Sequence, residues 1–178
     1  MKVTVITGSA HKKGTSALLA DKFIEGAKEA GHEVFRFDAA FENVKPCLAC
    51  EYCSNHDSEC IHKDSMNTLG EKLIDTDLVV FVTPLYYYGM TAQIKAVIDR
   101  LHATNAKLAG NKKAMLLATS YGSDDLTMEP LEKTYEAMLS FLNWKDEGTL
   151  FATGCPVREV IEQTGYPEQA YKMGKNIN

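Results

Sequence analysis

The spacing of apolar positions along the chain switches repeatedly between the tight runs of strands and the three-and-four spacing of helices. "KVTVIT" (2–7) is a short β-rich run that stops at Gly8. "TSALLADKFIEGAKEAG" (15–31) then carries Leu18, Leu19, Phe23 and Ala27 at helical spacing and stops at Gly31. "EVFRFD" (33–38) alternates again and predicts a second strand. After a long irregular stretch, "MNTLGEKLIDT" (66–76) predicts a helix, with Asp64 or Ser65 as its N-cap. "DLVVFVTP" (77–84) is unbroken from Val79 to Val82, the pattern of a strand buried on both faces of a parallel sheet. A helix over 91–103, a fourth buried strand over 112–120, a helix over 128–144, a fifth strand over 148–154 and a last helix over 167–177 complete the series.

Five strands alternating with helices predict one domain over 1–178, an α/β three-layer sandwich with a five-stranded parallel sheet. Right-handed crossovers favour the strand order 2-1-3-4-5, whose ligand crevice opens outside the carboxyl ends of the strands. Function is therefore expected in the loops after Thr7, Pro84 and Thr119.

Composition narrows this only slightly. Apolar residues make up 45% and charged residues 24%, ordinary values for a globular domain with a real core. A net charge of −5, with "HKKG" and "GNKK" as the densest basic stretches, argues against a nucleic-acid surface. No apolar run reaches the length of a membrane span, so a cytoplasmic protein with no membrane partner is expected, in which thiols stay reduced.

Two of the three loops carry chemistry. "TGSAHKKGTS" (7–16) supplies hydroxyls from Ser9, Thr15 and Ser16, with Gly8 and Gly14 letting the backbone turn closely around a ligand. Free N–H groups at the following helix start favour a phosphate. The loop matches neither G-x-G-x-x-G nor the P-loop pattern, and a simple helix cap is the plain alternative. "TPLYYYGMTAQIKAVIDR" (83–100) puts three tyrosines between Pro84 and Gly89. Apolar and aromatic walls with main-chain donors suit a flat heterocycle, although one or more of these tyrosines could pack under the loop or at a subunit contact.

With "PCLACEYC" and "CIHKDSM" between them, these stretches resemble the flavodoxin-like NADPH-dependent FMN reductases, and within them the iron–sulfur flavoproteins. The resemblance implies a flavodoxin-like fold, bound FMN, NADH or NADPH as electron donor, and homodimers or homotetramers. It places Ser9, His11, Gly14, Thr15 and Ser16 at the FMN phosphate and Pro84, Leu85, Tyr86, Tyr87 and Gly89 beside the isoalloxazine. Ser120, Tyr121 and Gly122, in "TSYGSDD" (119–125), would lie along the flavin edge, while Asp124 and Asp125 are candidates to cap the next helix. "GTS" stands where the family more often has G-N-T. No His–carboxylate pair is identifiable, so no catalytic acid or base is assigned. Lys95, Asp99 and Arg100 either position the tyrosine loop, pair across a subunit contact, or form a solvated helix face.

Four of the five cysteines, Cys47, Cys50, Cys53 and Cys60, fall in a loop spanning 44–64 with spacing C-x2-C-x2-C-x6-C. Such a run can hold a [4Fe–4S] cluster, as the resemblance implies. Zinc, with His56 or His62 as a further ligand, a pair of disulfides, and no metal at all are the alternatives. The loop is expected at the carboxyl end of the second strand, on the same sheet edge as the flavin. Cys155 is expected to be a buried structural thiol. The activity expected is transfer of electrons from a nicotinamide through FMN to a quinone, a flavin, another small acceptor or the cysteine-bound cluster. An electron carrier of the flavodoxin type and a thiol redox sensor are the rivals.

Overall fold

In the computed structural model, which describes residues 1–124 and 126–178, five parallel strands form one sheet in the order β2-β1-β3-β4-β5. The strands are β1 (Lys2–Thr7), β2 (Glu33–Asp38), β3 (Leu78–Pro84), β4 (Lys113–Thr119) and β5 (Lys145–Ala152). Among the described residues, seven α-helices connect and flank them: α1 (Thr15–Glu29), α2 (Met66–Ile74), α3 (Ala92–Arg100), α4 (Asn105–Leu108), α5 (Glu129–Leu142), α6 (Arg158–Ile161) and α7 (Tyr166–Lys175).

The central strand explains the layering. In β3, Leu78, Val80 and Val82 face a core shared with Leu19 and Phe23 of α1, Ile161 of α6 and Ala170 of α7. Val79 and Phe81 face the opposite core, with Leu69 and Leu73 of α2, Ile94 and Val97 of α3, and Tyr135 of α5. A strand covered on both faces reads as an uninterrupted apolar run. The doubly wound sandwich and its strand order are as the sequence predicts.

Boundaries differ where local polarity conceals the element. β5 begins at Lys145 rather than 148, because as an edge strand it starts with the exposed pair Lys145 and Asp146. The helix expected over 91–103 is α-helical only to Arg100, and a 3₁₀ turn over Leu101–Thr104 leads into α4. The chain after Pro156 folds as a single turn, α6, before α7 starts with proline in its first turn. Asp64, not Ser65, supplies the side-chain acceptor at the start of α2, taking the Met66 N–H at 3.1 Å. Among the described residues no helix is long and apolar enough to cross a membrane.

Candidate functional site

A cleft of about 480 Å³ opens at the carboxyl ends of the strands, within the range of small-molecule sites. Its floor is tied together by the ends of three strands. Thr91 Oγ1, just ahead of α3, donates to the Gly8 carbonyl at 2.8 Å, and a side chain at Gly8 would collide with that hydroxyl. The Leu85 N–H donates to the Thr119 carbonyl at 2.8 Å, and the Thr15 and Thr119 hydroxyls meet at 3.0 Å. The first, third and fourth loops are thus held in one register before any ligand arrives.

One end of the cleft is built for an anion. No side chain caps α1, so its first-turn N–H groups are left for a ligand. Ser9, His11, Gly14 and Thr15 line this end, and a Cβ at Gly14 would stand only 3.0 Å from that of His11. Lys12, Lys13 and Arg158 add positive charge at the mouth, and Arg158 Nη1 donates to the Lys13 carbonyl at 3.4 Å. The rest of the lining is more apolar, with Pro84, Leu85 and Tyr86 from the third loop and Ser120 and Tyr121 from the fourth. Tyr121 is 84% exposed, unusual for so large an aromatic with no partner to cover it. The donors and the apolar walls fit a phosphorylated planar ligand.

Four expected site residues do not line this cleft. Ser16 is buried on α1 and is not part of the cleft lining. Tyr87 and Gly89 belong to a two-residue turn in which Tyr86 and Gly89 exchange both backbone bonds at 3.0 Å, and Tyr87 projects fully into solvent. Gly122 packs behind the site, receiving the Ser120 hydroxyl on its carbonyl at 2.7 Å. Asp124 accepts the Leu126 N–H at 3.1 Å, in the turn ahead of α5 rather than at the helix cap, and Asp125 lies outside the described residues.

The fifth strand's loop was not anticipated. Cys155, Pro156, Val157 and Arg158 form a wall of the cleft, drawn in when the Cys155 N–H bonds the Ser120 carbonyl at 2.8 Å. The signal was the run "CPVR", separated by two residues from the end of β5, at the same sheet edge as the other loops. Cys155 is buried as expected; its thiol donates to the Thr153 carbonyl at 3.3 Å, and burial pushes its pKa up.

The cysteine loop does not stay on the carboxyl edge. It leaves the end of β2 but packs against the far end of α3, nine residues or about 14 Å along that helix from its start. The cause is Arg100. Its side chain is 2% exposed and Nη1 and Nη2 bond Asp64 at 2.8 and 3.1 Å, while Nη1 also donates to the Lys45 carbonyl at 2.8 Å. Burial works against the charge on each partner. The mutual hydrogen bonds outweigh it, so Arg100 is raised and Asp64 is held below the usual carboxylate range, with the Lys45 and Met66 N–H groups adding to the latter. Of the three helix residues whose role was open, Lys95 and Asp99 form an exposed pair at 2.5 Å, whereas Arg100 anchors the cysteine segment.

All four cysteines line one pocket of about 420 Å³, with His62 and Arg100. Among the described residues no three metal-ligating side chains stand close enough to share a single ion. A pocket of that size bordered by four thiols fits a group of several atoms better than one zinc ion. The loop takes tight left-handed turns at Ala49 and Glu51, and the Ala49 N–H points at Cys47 Sγ, 3.5 Å away.

The description "NADPH-dependent FMN reductase" matches residues 1–139. An iron–sulfur flavoprotein of Methanocaldococcus jannaschii is 38% identical over 107 residues, 60% of this chain and 54% of that protein. The chain spans about half the length of the iron–sulfur flavoproteins it first matches. In structure it is similar to an NAD(P)H:quinone oxidoreductase of Methanothermobacter marburgensis, with a TM-score of 0.77 at 21% identity over 100% of this chain and 99% of that one. It is also similar to an FMN-dependent NADH-azoreductase of Bacillus anthracis in complex with FMN, with a TM-score of 0.72 at 17% identity over 98% and 96%. At that identity the structures speak for the flavodoxin-like fold. Taken with the match across most of its length, the chain belongs to the NADPH-dependent FMN reductase family.

Proposed function

We propose that the protein is an FMN-dependent oxidoreductase, oxidising NADH or NADPH and passing the electrons to a quinone or another small acceptor. The observation that carries this reading is the cleft itself, an uncapped helix start at one end and an apolar, aromatic-walled slot at the other. FMN bound there would supply hydride acceptance and one- or two-electron transfer. Ser9, Thr15 and the α1 N–H groups would hold its phosphate, with Lys12, Lys13 and Arg158 balancing the charge. Pro84, Leu85 and Tyr86 would line one side of the ring and exclude water from it, and Ser120 and Tyr121 would border the other. A homodimer or homotetramer would cover Tyr87 and Tyr121, which stand open on the single chain.

The four-cysteine pocket would hold a [4Fe–4S] cluster as a further electron acceptor, ligated by Cys47, Cys50, Cys53 and Cys60. Relatives bearing the name iron–sulfur flavoprotein support this reading. Because the pocket is lined by the far end of α3 and shares no residue with the cleft, the flavin of a neighbouring subunit would be a second exchange partner beside the chain's own.

The test is protein purified without oxygen, assayed for FMN, iron and quinone-dependent NADH and NADPH oxidation. About one FMN per chain and about four irons per flavin are expected, with turnover dependent on the flavin. Protein that neither retains nor takes up FMN would sink the oxidoreductase reading. Flavin with negligible iron would remove the cluster and leave a plain FMN reductase.

A further inference from the structure

Arg100 has more donors than its partners use. Its Nη atoms serve Asp64 and Lys45, but Nε is buried with no hydrogen-bond partner. An unsatisfied buried donor on a cation is costly, and it persists where a missing group completes it. His62 Nε2 is in the same condition, and both residues line the four-cysteine pocket. Cys60 stands beside the Arg100 guanidinium, close enough to favour its charged form, while Nε itself meets no partner.

We propose that Arg100 is a positioning residue for the four-cysteine centre: it clamps the loop with Nη and directs the Nε–H at the sulfurs, setting the centre's reduction potential. The inference rests on the cluster reading above. One-electron reduction adds one negative charge to the centre and breaks no bond. A fixed cation with an N–H aimed at sulfur therefore favours the reduced form, since hydrogen bonds to sulfur and local charge set such potentials. Asp64 opposes this by neutralising the same guanidinium. The two residues should consequently act in opposite directions, which a purely structural clamp would not produce.

Removing Arg100 alone would strand the buried Asp64 carboxylate, so the pair is changed together. The experiment is a reductive titration of the cluster, followed by electron paramagnetic resonance, in wild-type protein, Asp64→Asn, and Asp64→Asn with Arg100→Met. The double variant should move to more negative potential and Asp64→Asn alone to more positive. Each shift should be on the order of tenfold in the reduced-to-oxidised ratio, which for one electron is about 59 mV. Equal potentials in all three, or shifts of the same sign, overturn the proposal while leaving the cluster in place. Wild-type protein without iron overturns the cluster reading and this inference with it. If the double variant fails to take up iron, Asp64→Asn still decides: an unmoved potential there overturns the role of Arg100.

Discussion

Tyr87 and Tyr88 sit at the two central positions of a two-residue turn with φ of 46° and 62°, where Asn-Gly is the usual choice. Both side chains carry the steric penalty of the left-handed region, and neither recovers it by burial, since both are exposed. Tyr88→Gly should therefore stabilise the protein by about 1 kcal/mol, even after glycine's greater unfolded freedom is counted. Urea denaturation checks this, and an unchanged or lower midpoint would mean the tyrosine is held by contacts that the single chain does not show. Strain kept at a turn beside a ligand cleft is the pattern of a functional segment, and a subunit contact over the tyrosines would account for it.

At the scale of elements, α1 and α7 meet through glycines. A Cβ at Gly26 would collide with the Tyr171 carbonyl, and one at Gly174 with the main chain of Phe23. Propensity alone says that Gly→Ala inside a helix gains about 0.5–1 kcal/mol. Backbone-to-backbone contact reverses that sign, and Gly174→Ala should lose about 1–3 kcal/mol, read as a drop in thermal midpoint. These contacts were not legible in the sequence, where Gly26 and Gly174 are unremarkable members of helical patterns. What was legible follows burial: Leu78–Val82 announces a central strand because both faces are covered. Arg158 escaped notice for the opposite reason, since it reaches the cleft only through the fold of the β5 loop onto Ser120. Arg100 looked like any charge on a helix face, because its burial depends on a loop arriving from 36 residues away.

For the molecule as a whole, the Asp64–Arg100 pair makes stability depend on acid. The Asp64 carboxyl is depressed in the folded state, so its contribution is complete above the unfolded value of about 3.9 and is lost as pH falls through the lower folded value. Urea midpoints measured from pH 6 down to pH 2, spanning roughly that window, should fall steeply for the wild type. Asp64→Asn should start lower at neutral pH and follow a flatter course, because its loss has already been taken. Parallel curves would show that other carboxylates dominate the acid transition.

Arg100 grips the chain at Lys45 and at Asp64 at once, so the two ends of the cysteine segment are fixed to each other by one side chain. What lies between them is then free to vary in length at small cost, about 0.6 kcal/mol for each doubling of a loop. The cysteine segment is in this sense an interchangeable cartridge seated in a permanent socket. Grafts with a longer or shorter gap between Cys53 and Cys60 should leave the sheet and the cleft untouched, so this segment can be remodelled without rebuilding the domain that carries it.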